Sequence, residues 1–431
     1  MSCLRHLVQS IPAGRARAIL IQMRVVVWGI NYVPEITGIA PHNVVLCDFL
    51  QRHGHDVEMV TTFAYYPVWR KRPEDRHKLF RTDEINGVRV HRCWHFVPAR
   101  VTAWKRIVHE AAFVLTSTMR VLSLKRPGVY VIVSPPLLLG TAAWFVGKLK
   151  GAPFVFHVQD LQPDAAVGLG MLKAGLFTRV LYWLEAFAYK HAVRVSGISE
   201  EILDAFRRKG VPEDKLILFP NTVALPESAE IPSPGRFRVK HGFAPNEFLA
   251  IYAGNLGIKQ GLHLLLDAAE LLRSDKDIRI VIAGDGAARE MLEQDARERG
   301  LTNLSMLPLQ FGSDYKELLV DADVSLITQQ SGSGNAFFPS KLLITLVYSS
   351  PVVTVSDEGS ALARVVAEGR FGRNILPGKA ELLAGTLRDL IQDRQQLRDW
   401  GAAGRRYVER FEQRKVLEKF VAELEQLCAA Q

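Results

Sequence analysis

Short runs of apolar, mostly β-branched residues recur along this chain, each followed by a polar loop and a helical stretch. Residues 24–29, 129–133, 154–158, 248–253, 278–283, 324–328 and 352–355 are such runs. They are apolar at consecutive positions instead of alternating, the pattern of strands covered on both faces. Parallel strands of that kind need crossover helices between them, and the spacing supplies these. The first unit shows the grammar. A strand over 24–29 leads into a loop from Asn31 to Gly38, then a helix to about His53 closed by Gly54, then a strand from Asp56 to Thr61. That is a βαβ unit. The expected class is α/β, with doubly wound parallel sheets.

Pro220, Pro226, Pro232 and Pro234 interrupt the pattern and mark an interdomain linker. The expected division is an N-terminal domain over 23–220, a linker over 221–236, a second domain over 237–405 and a helical segment over 406–431. A chain of 431 residues, 48% hydrophobic, is long enough for two cores. Residues 1–22 carry Arg5, His6, Arg15 and Arg17 and no acid. They are too short and interrupted for a secretion signal, and the pattern proper starts at Met23. They read as a disordered tail or as sequence upstream of the functional start.

The net charge of +9 and pI of about 9.4 imply a polyanionic partner, either nucleic acid, an anionic membrane or a phosphorylated substrate. Zinc-finger spacing, an RNP-type aromatic motif and a Lys/Arg tract are all missing, which argues against nucleic acid. Cys3, Cys47, Cys93 and Cys428 form no C-x-x-C pair and read as free thiols of a reducing compartment. Residues 129–147 carry no charge, yet Pro135-Pro136 stands in their middle, so a strand, turn and helix describe them better than a membrane span. Residues 62–105 read as irregular, with Tyr65, Tyr66, Trp69, Arg70, Trp94 and Arg100 suited to a sugar or a lipid headgroup, or to a packed surface loop. A helix over 103–124, with Lys105, Arg106 and Arg120 beside an apolar face, either rests on an anionic membrane or covers a sheet.

Open α/β sheets bind ligands at the carboxyl ends of their strands. In the first half those positions hold His157, Asp160 and Asp164, which are candidates for chemistry or capping residues of a loop. In the second half three loops compete for an anion. Gly254, Asn255 and Gly261 precede a helix with Lys259 at its start, a phosphate cradle in composition although not a P-loop. Gly284 and Gly286 form a G-x-G. A polar loop holding Ser331 to Gly334 leads through Pro339 to Ser340, Lys341 and Leu342, where a helix start, a hydroxyl and an ammonium suit a diphosphate. The bland alternative is an ordinary helix start with a solvated lysine. Asp275, Asp277, Asp321 and Asp323 match a D-x-D pattern but precede strands, on the side away from the ligand loops, and read as turn and capping residues rather than a metal site.

The stretches from Gly29 to Gly38, from His157 to Asp164 and from Gly254 to Gly261, with Pro339-Ser340-Lys341-Leu342, resemble a glycosyltransferase of family 4. The resemblance covers about residues 24–425. It runs to the colanic-acid-type fucosyltransferase branch and its relatives in bacterial exopolysaccharide, capsule and O-antigen synthesis. It implies the GT-B architecture, two Rossmann-like doubly wound domains facing across a cleft, with the last helix returning to the first domain. It implies a nucleotide-sugar donor, GDP- or UDP-linked, held in the second domain by Gly254, Asn255, Lys259, Gly284, Gly286, Ser340, Lys341 and Leu342. The acceptor would then lie in the first domain by Tyr32, Glu35, Gly38 and Asp164, with His157 and Asp160 as catalytic candidates. Such enzymes retain anomeric configuration, use no cofactor and need no bound metal. One departure stands out. Many members carry two glutamates near the opening of the donor site, and here those positions are Ala336 and Ile344.

The expected function is transfer of a fucose-like or acetamido sugar to a polyprenyl-diphosphate-linked saccharide. It would take place at the cytoplasmic face of a bacterial inner membrane, with the enzyme held peripherally on that anionic surface. Two alternatives remain on the sequence: a non-catalytic partner of a polysaccharide assembly complex, favoured by Ala336 and Ile344, and a nucleotide-sugar epimerase on the same architecture.

Overall fold

The computed structural model describes residues 22–35, 38–66, 68–100, 102–168, 175–332 and 341–430. The described chain divides into two compact units. One runs to Thr222 and resumes at Arg414, and the other spans Val223–Gln413.

The first unit is built on an eight-stranded sheet. Its strands are β1 (Arg24–Gly29), β2 (Asp56–Thr62), β3 (Phe80–Ile85), β4 (Val88–Cys93), β5 (Val129–Ser134), β6 (Phe154–Val158), β7 (Arg194–Gly197) and β8 (Leu216–Leu218). Their order is β3-β4-β2-β1-β5-β6-β7-β8, parallel except for the antiparallel pair β3 and β4. The chain reverses its winding at β1, between β2 and β5. Trp28, Tyr130, Ile132 and Phe156 pack against helices on one face of the sheet, while Val25, Val27, Val131 and Val155 pack on the other. That second face is closed by helices Ala40–Arg52 and Gln413–Ala429. Leu417, Phe420 and Leu424 of the latter are buried, and Phe420 stacks on Phe219 at 3.8 Å.

Residues 62–105, expected to be irregular, contain the β3–β4 hairpin. Asn86 and Gly87 turn it with φ of 53° and 79°, the left-handed pair that a two-residue hairpin turn requires. Charged side chains hid the strands from a hydrophobic reading. His91 of β4 is buried against Glu58 of the neighbouring β2 at 2.8 Å, and Glu58, 1% exposed, is satisfied as well by Arg24 and by Arg89 at 2.9 Å. Arg92 is buried as well, bonded to Asp83 and to the carbonyl of Val33.

The second unit carries a six-stranded sheet in the order β11-β10-β9-β12-β13-β14, parallel throughout. The strands are β9 (Phe248–Asn255), β10 (Ile278–Asp285), β11 (Leu304–Leu307), β12 (Val324–Thr328), β13 (Val352–Val355) and β14 (Gly372–Ile375). Helices His263–Leu271 and Ala380–Gln392 bury Leu265 and Leu387 on one face, and helix Lys341–Val347 buries Leu342 and Leu346 on the other. The winding reverses at β9, so the loops after β9 and β12 flank the switch point.

Asp275, Asp321 and Asp323 of the D-x-D pairs lie at the amino ends of these strands and are taken up by the fold. Asp321 accepts from the amides of Gly235 (2.5 Å) and Arg238 (3.0 Å). Asp323 pairs with Arg238 and Arg394, and Asp275 with Arg388.

Candidate active site

In the second unit the sequence brings four carboxyl-end loops together. β9 and β10 run side by side to their last residues, so Gly254 pairs with Gly284 and Asn255 with Asp285. That closeness explains the glycines. A Cβ on Gly284 would lie 2.0 Å from the Gly254 carbonyl oxygen, and one on Gly286 (φ 153°) would lie 2.6 Å from that of Leu256. The β10 loop is then locked by backbone bonds from Leu256 to Asp285 (2.8 Å) and from Ala288 to Leu256 (2.8 Å). Arg289 closes it by donating to the carbonyls of Gly284 and of Leu307 (3.0 Å).

Lys341 opens the helix after β12, and its Nζ stands 3.7 Å from the centre of the Tyr252 ring on β9. A Cβ on Gly254 would meet the same ammonium at 3.8 Å. Among the described residues Lys341 makes no ion pair, and burial alone pushes its ammonium down to about 7. A cation held half-neutral over an aromatic ring, beside backbone bared by glycine, is suited to an incoming anion. Asn255 and Lys259 are exposed on the same loop, and the Lys259 carbonyl accepts from the amide of Gln330 at 2.7 Å, tying the β9 and β12 loops. Asp357, on the loop after β13, accepts from Ser331 Oγ (2.8 Å) and the Gly332 amide (2.7 Å) and holds the start of the polar loop.

Of the expected donor residues, Gly254, Asn255, Lys259, Gly284, Gly286 and Lys341 therefore share one edge of the sheet. Ser340 and Ala336 lie outside the described residues. The Leu342 side chain is 0% exposed in the core, where it anchors the helix. Ile344 is partly buried against that same core. Arg289, Tyr252 and Asp357 escaped the sequence reading because each acts through the fold, at positions where no local motif marks it.

At the carboxyl edge of the first sheet, Gly38 is exposed, and a Cβ on it would meet the Tyr66 ring at 3.6 Å. Glu35 is 4% exposed. Its Oε1 accepts from the amides of Tyr65 and Tyr66, both at 2.9 Å, and its Oε2 from Asn31 at 2.7 Å. Burial nevertheless raises its carboxyl above the usual range. Glu35 is thus a loop-holding group. Tyr32, also expected at the acceptor, is a core side chain packed near Leu46 and Cys47. Asp160 is partly exposed directly after β6. Asp164 lies in the first turn of the next helix and pairs with Lys209, which also reaches Glu185 at 2.6 Å, while the Asp164 side chain stays 41% exposed.

His157 is enclosed by the fold. It is 2% exposed, with Nδ1 2.8 Å from Ser196 Oγ and Nε2 2.8 Å from the Gln159 amide nitrogen. The amide can only donate, so Nε2 accepts and Nδ1 carries the proton. Burial lowers its protonation to about 3. Its lone pair is already used within the fold, where it ties the end of β6 to β7. Nearer the surface, Glu110 on helix Ala103–Ser123 bonds Arg106 (3.2 Å) and Gln162 (3.3 Å), while Gln162 accepts from the Leu137 amide (2.8 Å). Burial raises the Glu110 carboxyl. This pair joins the loops after β5 and β6 beside Asp160.

Comparison with known proteins follows the two units. Residues 37–222 match the family model of the glycosyl transferase 4-like domain, and residues 235–407 that of glycosyl transferases group 1. The chain is 29% identical over 411 residues to a protein of Escherichia coli (strain K12) named colanic acid biosynthesis glycosyl transferase WcaI, covering 93% of this chain and 100% of the relative. In fold it is similar to sucrose-phosphate synthase from Thermosynechococcus elongatus, with a TM-score of 0.73 at 15% identity over 95% of this chain and 100% of that one. It is likewise similar to Anabaena HepE solved in complex with UDP, with a TM-score of 0.66 at 16% identity over 94% and 100%.

Proposed function

Because this chain belongs to the glycosyltransferases, joining a glycosyl transferase 4-like domain to a group 1 domain in the GT-B architecture, we propose that it moves a sugar from a nucleoside diphosphate to a lipid-linked saccharide with retention at the anomeric carbon. The observation that carries this reading is Lys341, a cation without an ion pair among the described residues, set over Tyr252 beside Gly254. The bond from C1 to the diphosphate oxygen breaks and a bond from C1 to the acceptor oxygen forms. The acceptor proton leaves with the diphosphate. Charge builds on that leaving group, and Lys341 and Lys259 neutralise it at no cost of reorganisation. The complex of HepE with UDP favours a uridine donor, with GDP the other candidate. The name of the Escherichia coli relative favours exopolysaccharide synthesis, hence a fucose-like or acetamido sugar and a polyprenyl-diphosphate acceptor. No resident cofactor enters this reading.

Thermal unfolding of the purified chain with UDP, GDP and their sugars, beside Lys341→Ala, tests it. One nucleotide should raise the midpoint by several degrees in the parent and by nothing in the variant, since a ligand of the native state alone stabilises it. No shift with any of them overturns the donor site. A shift without transfer to any lipid-linked acceptor supports the second reading, a nucleotide-binding partner of an assembly complex, which Ile344 favours.

A further inference from the structure

Helices Ala103–Ser123, Leu139–Lys150 and Leu176–His191 lie side by side on one face of the first sheet. Each already has an inward apolar side, with Phe113 and Val121, Ala143 and Val146, and Ala188 and Tyr189 in the core. A helix that only covers a sheet is polar on its outer side. These are not. On the first helix Trp104, Ile107, Leu115, Met119 and Leu122 are exposed at helical spacing, Trp104 at 68% and Leu115 at 66%. Phe145 and Leu149 are exposed on the second helix, and Leu176 (79%), Val180 and Trp183 (61%) on the third. Phe187 of the third helix meets Trp144 of the second at 5.1 Å and Trp183 at 5.6 Å, so their outer sides form one surface.

The charge on this face has one sign. Lys105, Arg106, Lys148, Arg179 and Lys190 stand on the three helices. The two carboxylates the helices carry are turned inward. The Glu185 side chain is 3% exposed against Lys209, and that of Glu110 is 16% exposed against Arg106 and Gln162. Outward tryptophans and aliphatic side chains interleaved with lysine and arginine suit the boundary between lipid headgroups and acyl chains. The core of a protein interface, by contrast, is depleted in lysine. Among the described residues no helix is long and apolar enough to cross a membrane.

We propose that this three-helix face docks the protein on an anionic lipid bilayer, apolar stripes at the acyl boundary and basic side chains among the headgroups. The inference deepens the reading of the acceptor as lipid-linked and rests on it for its purpose. The face reaches the candidate acceptor side through Glu110, whose contact with Gln162 lies two residues beyond Asp160. A lipid-borne saccharide would therefore arrive at the edge of the site from the surface on which the protein sits.

Sedimentation of the full chain with phosphatidylcholine vesicles, with and without phosphatidylglycerol, tests this directly. The anionic vesicles should bind the parent about tenfold better than neutral ones, and Leu115→Glu with Trp183→Glu should lose about tenfold of that binding. Lys105→Glu with Arg179→Glu should lose the preference for phosphatidylglycerol. All variants must keep the nucleotide-induced thermal shift, which shows that they fold. Failure of the parent to bind anionic vesicles overturns the proposal, as does unchanged binding by the Leu115/Trp183 variant. A dimer in solution that this variant dissolves, without vesicle binding, assigns the face to a second copy instead. Loss of nucleotide binding with vesicle binding intact would refute the donor reading and leave the surface standing.

Discussion

The Lys341 ammonium lies 3.7 Å from the centre of the Tyr252 ring, and the Tyr252 hydroxyl donates to the Asn255 carbonyl at 2.7 Å. Through one aromatic side chain, the cation after β12 is thus set against the loop after β9. The ring face attracts the charged form while burial disfavours it, and burial wins, bringing Lys341 down to about 7.

With the proposed donor site, that balance should make nucleotide binding depend on pH. A bound diphosphate favours the ammonium, so above about pH 7 binding takes up a proton and affinity falls as pH rises, by up to about tenfold per unit. Calorimetric titration in buffers of different ionisation heat should show uptake approaching one proton near pH 8. Lys341→Arg, always charged, should show none.

The same group shapes stability. The unfolded chain holds this proton to near 10.5 and the folded chain releases it near 7, so between them the unfolded state binds more protons and stability rises with pH. Lys341→Met should remove that slope and stabilise the protein at neutral pH by about 1–3 kcal/mol. Chemical denaturation of both proteins across that range measures it.

Gly284 and Gly254 face each other across paired strands but should fail differently. Gly284→Ala drives a methyl into the Gly254 carbonyl and should cost about 2–4 kcal/mol of stability in denaturant titration. Gly254→Ala meets only the Lys341 side chain and a strained φ of 136°, so it should cost about 1 kcal/mol and chiefly weaken nucleotide binding.

Glu35 holds two consecutive backbone amides with one oxygen. Glu35→Ala should destabilise the first unit by about 1–3 kcal/mol and raise KM for the acceptor, leaving nucleotide affinity unchanged. Steady-state kinetics varying each substrate separates the two. An equal rise in both KM values would show that the loop has a different role.

Phe420 stacks on Phe219 with the rings 4° from parallel, far apart in sequence and both buried. Phe420→Ala should cost about 3–5 kcal/mol, read as a lowered denaturation midpoint. This fixes how much the last helix contributes to the unit it joins.

Continuous apolar runs and their loops were enough to read the central strands of both sheets, because strands buried on two faces are mostly apolar, whereas the edge strand β14 carries Arg373 and Asn374 and was not read. The β3–β4 hairpin was not legible: His91 and Arg92 of β4 are polar residues admitted to a sheet only by their partners, Glu58 of β2 for His91 and Asp83 of β3 for Arg92. The glycines and Lys341 of the second unit were also visible, since close backbone approach and an anion each demand one residue type. What the sequence could not decide was which side chains are free to act. His157 and Asp164 stand at the same strand end, yet His157 is buried between Ser196 and Gln159 while Asp164 keeps an exposed face beside Lys209. Lys341 is ordinary in composition and becomes distinctive only when folding partly buries it and sets Tyr252 beneath it. Motif spacing is local and survives in the sequence. Burial and pairing depend on residues from elsewhere in the chain, and they are settled only when the tertiary structure brings those residues together.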